Sequence, residues 1–153
     1  MRIFLTTFSL CILLTSCEVF NSSNCNKDSE LPEAIKKWQS TNTQNYTFQT
    51  NRTCECMPPY KYTVEVVNGE VTDVHFEKED HLNYESKAMI IQSSKTIDQL
   101  FDILGQYENT ADYFEVTFHE IFGYPTKINI DPNPETADEE IILEISKFTS
   151  INN

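Results

Sequence analysis

Asn68-Gly69 constrains the fold of this chain more than any other pair of residues. It follows a run in which Tyr60, Tyr62, Val64 and Val66 fall on one side of an extended strand, with Lys61, Thr63 and Glu65 on the other. An Asn-Gly pair in that setting predicts a type I′ β-hairpin, because both central residues must take φ > 0 and the primed turn matches the twist of the flanking strands. The apolar residues of the return strand, Glu70–Glu77, are Val71, Val74 and Phe76, which are out of phase with a period of two. One extra residue at Thr72-Asp73, a β-bulge, brings all three back to one face. The core of the domain is therefore expected to lie against an antiparallel sheet.

Helical spacing appears on either side of this hairpin. Leu31, Ala34, Ile35 and Trp38 stand at i, i+3, i+4 and i+7, which predicts a short helix. Pro32 suits its first turn, Glu33 its positive end and Lys36-Lys37 its negative end. Thr96-Ile97-Asp98-Gln99 is a capping box opening a second helix, with Ile97, Leu100, Phe101 and Leu104 on one face and Gly105 as the expected C-cap. Tyr46–Thr50, Phe114–Phe118, Lys127–Ile130 and Glu140–Phe148 alternate as strands. Ile142 interrupts the polar side of the last, which is accordingly expected to be buried on both faces. Met89-Ile90-Ile91 fits either a strand or a buried helical turn. The expected order is αβββ-αβββ, an α+β domain over residues 31–150 in which about six antiparallel strands carry two helices on one face. Its length allows one core without a metal or several disulfides.

The first residues carry a different signal. Arg2 is the sole charge before Glu18, and Ile3–Leu14 is apolar apart from Thr6, Thr7 and Ser9. A positive residue followed by a short apolar run reads as a secretory signal, too short for a membrane span of roughly 20 residues. The run ends Leu14-Thr15-Ser16-Cys17, which resembles the bacterial lipobox. The resemblance implies removal of residues 1–16 and lipidation of Cys17, with residues 17–30 as a polar, flexible tether. The mature chain then carries 24 acidic against 10 basic side chains, a charge of −14. Anionic headgroups repel such a domain, so the membrane is its partner only through the lipid, two or three acyl chains being needed for durable attachment. The expected location is the bacterial cell envelope, facing the periplasm or the surface. Cys25, Cys54 and Cys56 remain, and an odd number permits at most one internal bridge. Cys54 and Cys56 can pair only where the backbone turns, since i and i+2 of a straight strand lie at the outer limit of disulfide geometry. The alternative pairs Cys25 with one of them.

Several features then line up in order: the Trp-ended helix, Asn45-Tyr46-Thr47-Phe48, Cys54-x-Cys56, the Val64–Val74 hairpin, Thr96-Ile97-Asp98-Gln99-Leu100-Phe101, Gly123-Tyr124-Pro125, and Ile130-Asp131 followed by Asp138-Glu139. Together they resemble a domain-of-unknown-function family (six-one-seven-four) of small bacterial secreted and lipid-anchored proteins. The resemblance covers most of residues 34–148. It implies a similar α+β fold with the Cys-x-Cys pair inside the domain, and it implies no activity.

Composition removes several functions. Eleven Lys and Arg against 24 Asp and Glu leave no basic surface for a nucleic acid. Three scattered glycines cannot cradle a phosphate or dinucleotide, and no Gly-x-Ser-x-Gly elbow occurs. Asp131-Pro132-Asn133-Pro134-Glu135 with Asp138-Glu139-Glu140 offers oxygens for calcium, but Thr136 and Ile142 stand where an EF-hand needs glycine and glutamate. His75, Glu77, Glu79, Asp80 and His81 crowd together in a way that suits a charged strand end better than a metal site. His119-Glu120 lacks the second histidine of a zincin helix. Tyr46, Tyr60, Tyr62, Tyr113 and Tyr124 suit the margin of a core more than a binding surface. No catalytic, cofactor or metal residue is assigned. The expectation is a non-catalytic domain binding a protein or ligand through its sheet face or acidic loops. An inhibitor-like module would instead show an uncovered, concave, aromatic-rich sheet face, and an enzyme a deep pocket with converging titratable groups.

Overall fold

The structure, a computed structural model, describes residues 29–54, 57–77, 84–136 and 139–151. Among these, six strands form one sheet: β1 (Tyr46–Cys54), β2 (Met57–Val67), β3 (Glu70–Phe76), β4 (Tyr113–Phe118), β5 (Pro125–Asp131) and β6 (Ile141–Ser150). The spatial order is β3-β2-β1-β6-β5-β4. Two three-stranded meanders meet where β1 pairs antiparallel with β6. The helices are α1 (Leu31–Ser40), α2 (Tyr84–Ser93) and α3 (Ile97–Tyr107). The order is thus αβββ-ααβββ among the described residues, with a third helix that the expected αβββ-αβββ pattern lacks. Met89-Ile90-Ile91 lies in α2, where Ile90 enters the core and Met89 faces solvent.

The hairpin forms as its sequence requires. Asn68 and Gly69 take φ of 53° and 76°, the two positive angles of the primed turn. Val66 pairs with Val71 and Glu65 with Asp73, so Thr72 is the extra residue of the bulge. Val71, Val74 and Phe76 consequently join Tyr62, Val64 and Val66 on the core side. A second bulge lies in β6, where Lys147 takes φ of 51° and the β1–β6 register shifts between Thr47 and Gln49. It lets Phe148 pack on Trp38 and Tyr46 at centroid distances of 5.7 and 5.5 Å.

Two expectations are corrected. Gly105 is not the C-cap of its helix: α3 continues to Tyr107 and ends where Glu108 N–H donates to Leu104 O. The extra turn places partly buried Tyr107 against the core, which offsets the roughly 1 kcal/mol that an internal glycine costs a helix. Ile142 is 37% exposed, so β6 is covered on one face alone.

α1 and α3 cover the apolar face and are joined to it by polar contacts. Trp38 Nε1 donates to Asp98 Oδ1 at 3.0 Å, linking α1 to α3. Thr96 and Gln99 complete the capping box of α3. The N–H of Ile97 donates to Tyr46 Oη on β1 at 3.0 Å. Tyr46 is fully buried, and burial pushes its phenol up to about 12 despite that hydrogen bond. The raised value means the folded state holds the proton more tightly than the unfolded chain. The associated stability is complete below pH 10 and is lost as pH climbs toward 12, at about 1.4 kcal/mol per unit and about 2–3 kcal/mol in all. Urea denaturation from pH 9 to 12 measures it. Burial shifts Tyr124 in the same direction, so the slope that disappears in Tyr46→Phe isolates the Tyr46 share.

Candidate functional site

The two edges of the sheet differ. Against β3 lies α2, whose Lys87 Nζ reaches Asp73 Oδ1 at 2.9 Å. No described element pairs with the outer side of β4. Along that side runs a groove of about 530 Å³, floored by the five consecutive residues 114–118 of β4. Because successive strand residues point to opposite faces, a hollow touching all five follows the backbone edge itself. Its walls are the entry to α1 (Ser29, Glu30, Leu31) and the exit of α3 (Glu108, Asn109). Ser29 Oγ donates to Glu108 Oε1 and so joins the two walls. Beyond Phe118 a second hollow, of about 360 Å³, continues between α1 and the β4–β5 loop past Glu33, His119 and Glu120. Glu30, Glu33, Glu108, Glu115 and Glu120 therefore line one continuous trough. Lys37 is bound to Glu33 at 3.1 Å and Lys127 to Glu115 at 2.9 Å, which leaves the trough predominantly acidic.

The β4–β5 loop is held by its own residues. His119 Nδ1 accepts from the N–H groups of Ile121 and Phe122 at 3.3 and 3.2 Å, and its ring stacks on Tyr124 at 4.7 Å. Ile121, 72% exposed, is at the tip.

A separate cavity of about 160 Å³ lies between the covered face and the α2–α3 junction. Phe48, Val64, Leu100, Ile103 and Leu143 form apolar walls, and the exposed Ser93 and Lys95 line it from the α2–α3 junction. Thr50 is 2% exposed, lines this cavity, and its Oγ1 has no hydrogen-bond partner among the described residues. Nearby, Ser94 Oγ donates to Ile90 O at 2.7 Å and is 3.4 Å from Tyr62 Oη.

The residues singled out from sequence separate into several roles. Tyr46, Tyr62 and Tyr124 belong to the core, and Tyr113 is exposed on the uncovered face. Among the described residues that face otherwise presents polar side chains such as Thr47, Thr63, Glu65 and Glu144, not the aromatic surface expected of an inhibitor-like module. His75 Nε2 contacts Glu65 Oε2 at 3.0 Å. Glu77 accepts from Gln49 Nε2, and this bond, followed by Lys147 and Lys61, holds its carboxyl below the usual range. Asp131 and Asn133 accept backbone N–H groups two residues ahead, so the acidic loop is shaped by Asx turns. Cys17, Cys25, Cys56, Glu79, Asp80, His81 and Asp138 lie outside the described residues. So does the side chain of Cys54, although its backbone pairs with Met57. Neither the groove nor the cavity was found from sequence. Each is built by segments whose proximity depends on the strand order.

A family model matches residues 30–150, that of a family of unknown function (DUF6174). No curated protein and no solved structure matches the chain.

Proposed function

The chain belongs to the DUF6174 family, and we propose that it is a lipid-anchored, non-catalytic binding module of the bacterial cell envelope that accepts an extended, cationic polypeptide segment along β4. The acidic groove beside the unshielded edge of β4 carries this reading. An extended segment added to a sheet edge gains main-chain hydrogen bonds, while alternate side chains find pockets. Carboxylates along the trough attract Lys and Arg and disfavour acidic competitors, so charge sets the encounter rate and the choice of partner. The overall charge of −13 acts in the same direction at longer range.

The lipid on Cys17 supplies the membrane attachment that an acidic surface cannot. The tether joins the domain at Ser29, beside the groove. A polar linker of this length has an r.m.s. reach of roughly 20 Å, which keeps the groove close to the bilayer.

Two measurements on the full chain test the two parts separately. On fractionation, the wild type goes with the envelope membranes and Cys17→Ser moves to the soluble fraction; equal membrane recovery overturns the anchor. In fluorescence anisotropy, a labelled peptide of alternating Lys and Val binds, and its Kd rises about tenfold or more when salt is raised from about 20 to 200 mM. The double variant Glu30→Lys/Glu108→Lys weakens binding about tenfold with an unchanged urea midpoint. Absence of binding at millimolar peptide, or binding indifferent to the double variant, overturns the groove.

A further inference from the structure

We infer that the β4 groove selects its occupant by the phase of the charges: Lys or Arg at alternate positions, all on the helix side, with uncharged residues between them. The inference rests on the reading of this groove as a strand-addition site and names the class of segment that fits it. A run of consecutive basic residues is the pattern it disfavours.

The two sides of a strand added to β4 meet different surfaces, because its side chains point alternately to the two faces of the sheet. On the helix side β4 presents Phe114, Val116 and Phe118, which are partly buried against the core. Glu30, immediately before α1, and Glu108, immediately after α3, wall that side together with Leu31. No lysine, arginine or histidine is among the described residues lining the groove, so no cation of the groove itself answers these carboxylates. A Lys or Arg side chain fits such a surface in both its parts. Its alkyl stem covers apolar side chains, and its charged head stays at the wetted rim beside the glutamates. Glu33 and Glu120, in the hollow beyond Phe118, extend the same preference to a further position.

The outer side is already balanced. Tyr113, Glu115 and Thr117 are the exposed residues of β4. Glu115 Oε2 accepts from Lys127 Nζ at 2.9 Å and from Tyr113 Oη at 3.3 Å. A cation arriving there meets a carboxylate that a lysine already neutralises, with that ammonium close by. Like charges on neighbouring strands are destabilising, and such repulsion lets a site reject the wrong pattern as well as attract the right one. In a run of consecutive lysines every second side chain takes this outer side. Spacing the charges two apart spares all of them.

The test compares two labelled peptides of three Lys and three Val, one alternating and one with its lysines consecutive, by fluorescence anisotropy against the full chain. The alternating peptide is expected to bind about tenfold more tightly, since it alone can place all three charges on one side. Glu30→Gln/Glu108→Gln removes the helix-side carboxylates at nearly constant shape. It is expected to weaken the alternating peptide about tenfold, equivalent to about 1.4 kcal/mol, and to bring the two peptides within about twofold of each other. Glu70→Gln/Glu144→Gln makes the same change in net charge at exposed positions outside the groove. It is expected to shift neither affinity by more than about twofold. The comparison of the two peptides on the wild type decides the matter should a variant fail to fold. Equal affinity of the wild type for both peptides, tighter binding of the consecutive one, or equal weakening by the two variants overturns phase selection alone. Absence of saturable binding by either peptide overturns strand addition along β4, and this inference falls with it.

Discussion

Gly123→Ala is expected to lower stability by about 2–5 kcal/mol, from the left-handed backbone and the lack of space acting together. Gly123 has φ of 78°, and a Cβ there would lie 2.3 Å from the carbonyl oxygen of Ala34 and 2.8 Å from Lys37 Cβ. The first of these neighbours is helix backbone and cannot rotate away, so α1 must shift. Gly69 supplies the control: its φ is 76°, yet nothing lies within 4 Å of an added Cβ. Gly69→Ala should therefore cost only the backbone share, about 1–2 kcal/mol. Urea denaturation of the two variants measures the difference. Equal losses would show that α1 does not rest on the β4–β5 loop in the manner described. Trp38, the sole tryptophan, lies in the displaced helix, and its emission should move to the red in Gly123→Ala alone.

Trp38→Ala is expected to cost about 3–5 kcal/mol, the range for truncating a buried indole. Trp38 is 3% exposed and meets Tyr46 edge-to-face at 5.3 Å and Phe148 at 5.7 Å. Its N–H is also the hydrogen bond between α1 and Asp98 at the start of α3. Trp38→Phe separates the two contributions, since it keeps an aromatic ring and deletes the donor. Asp98 is exposed and its carboxylate regains water, so the phenylalanine variant should lose markedly less than the alanine variant. Circular dichroism in urea is the suitable measurement, because the variants remove the intrinsic fluorophore. A loss below about 1 kcal/mol in Trp38→Ala would contradict the packing of α1.

What could be read in advance was local. The Asn68-Gly69 turn, the Thr72 bulge, the capping box at Thr96 and the apolar stripe from Leu31 to Trp38 are each specified by residues within a few positions of one another. α2 was ambiguous because Met89, Ile90 and Ile91 are consecutive and so mark no face. Gly105 misled because glycine stops a helix only where continuation brings no packing, and Tyr107 brings some. Ile142 misled because one apolar residue was given more weight than Glu140 and Glu144, which share its side of β6 and already marked that side as solvated; a single exposed isoleucine needs no buried partner. The β6 bulge at Lys147 had no marker, since lysine is not a residue that announces φ > 0. The candidate sites depended on tertiary arrangement. Thr50 is one unremarked threonine in an alternating strand until β6 and α3 enclose it. Nothing in Tyr113–Phe118 distinguishes an outermost strand from a central one.

The unequal margins of the sheet have a consequence for self-association. Strand-by-strand stacking of identical molecules needs two bare margins per copy, one to receive and one to offer. Here α2 packs against β3, the outermost strand at one of them. Two neighbours meeting β4 to β4 would form a closed pair rather than a growing stack.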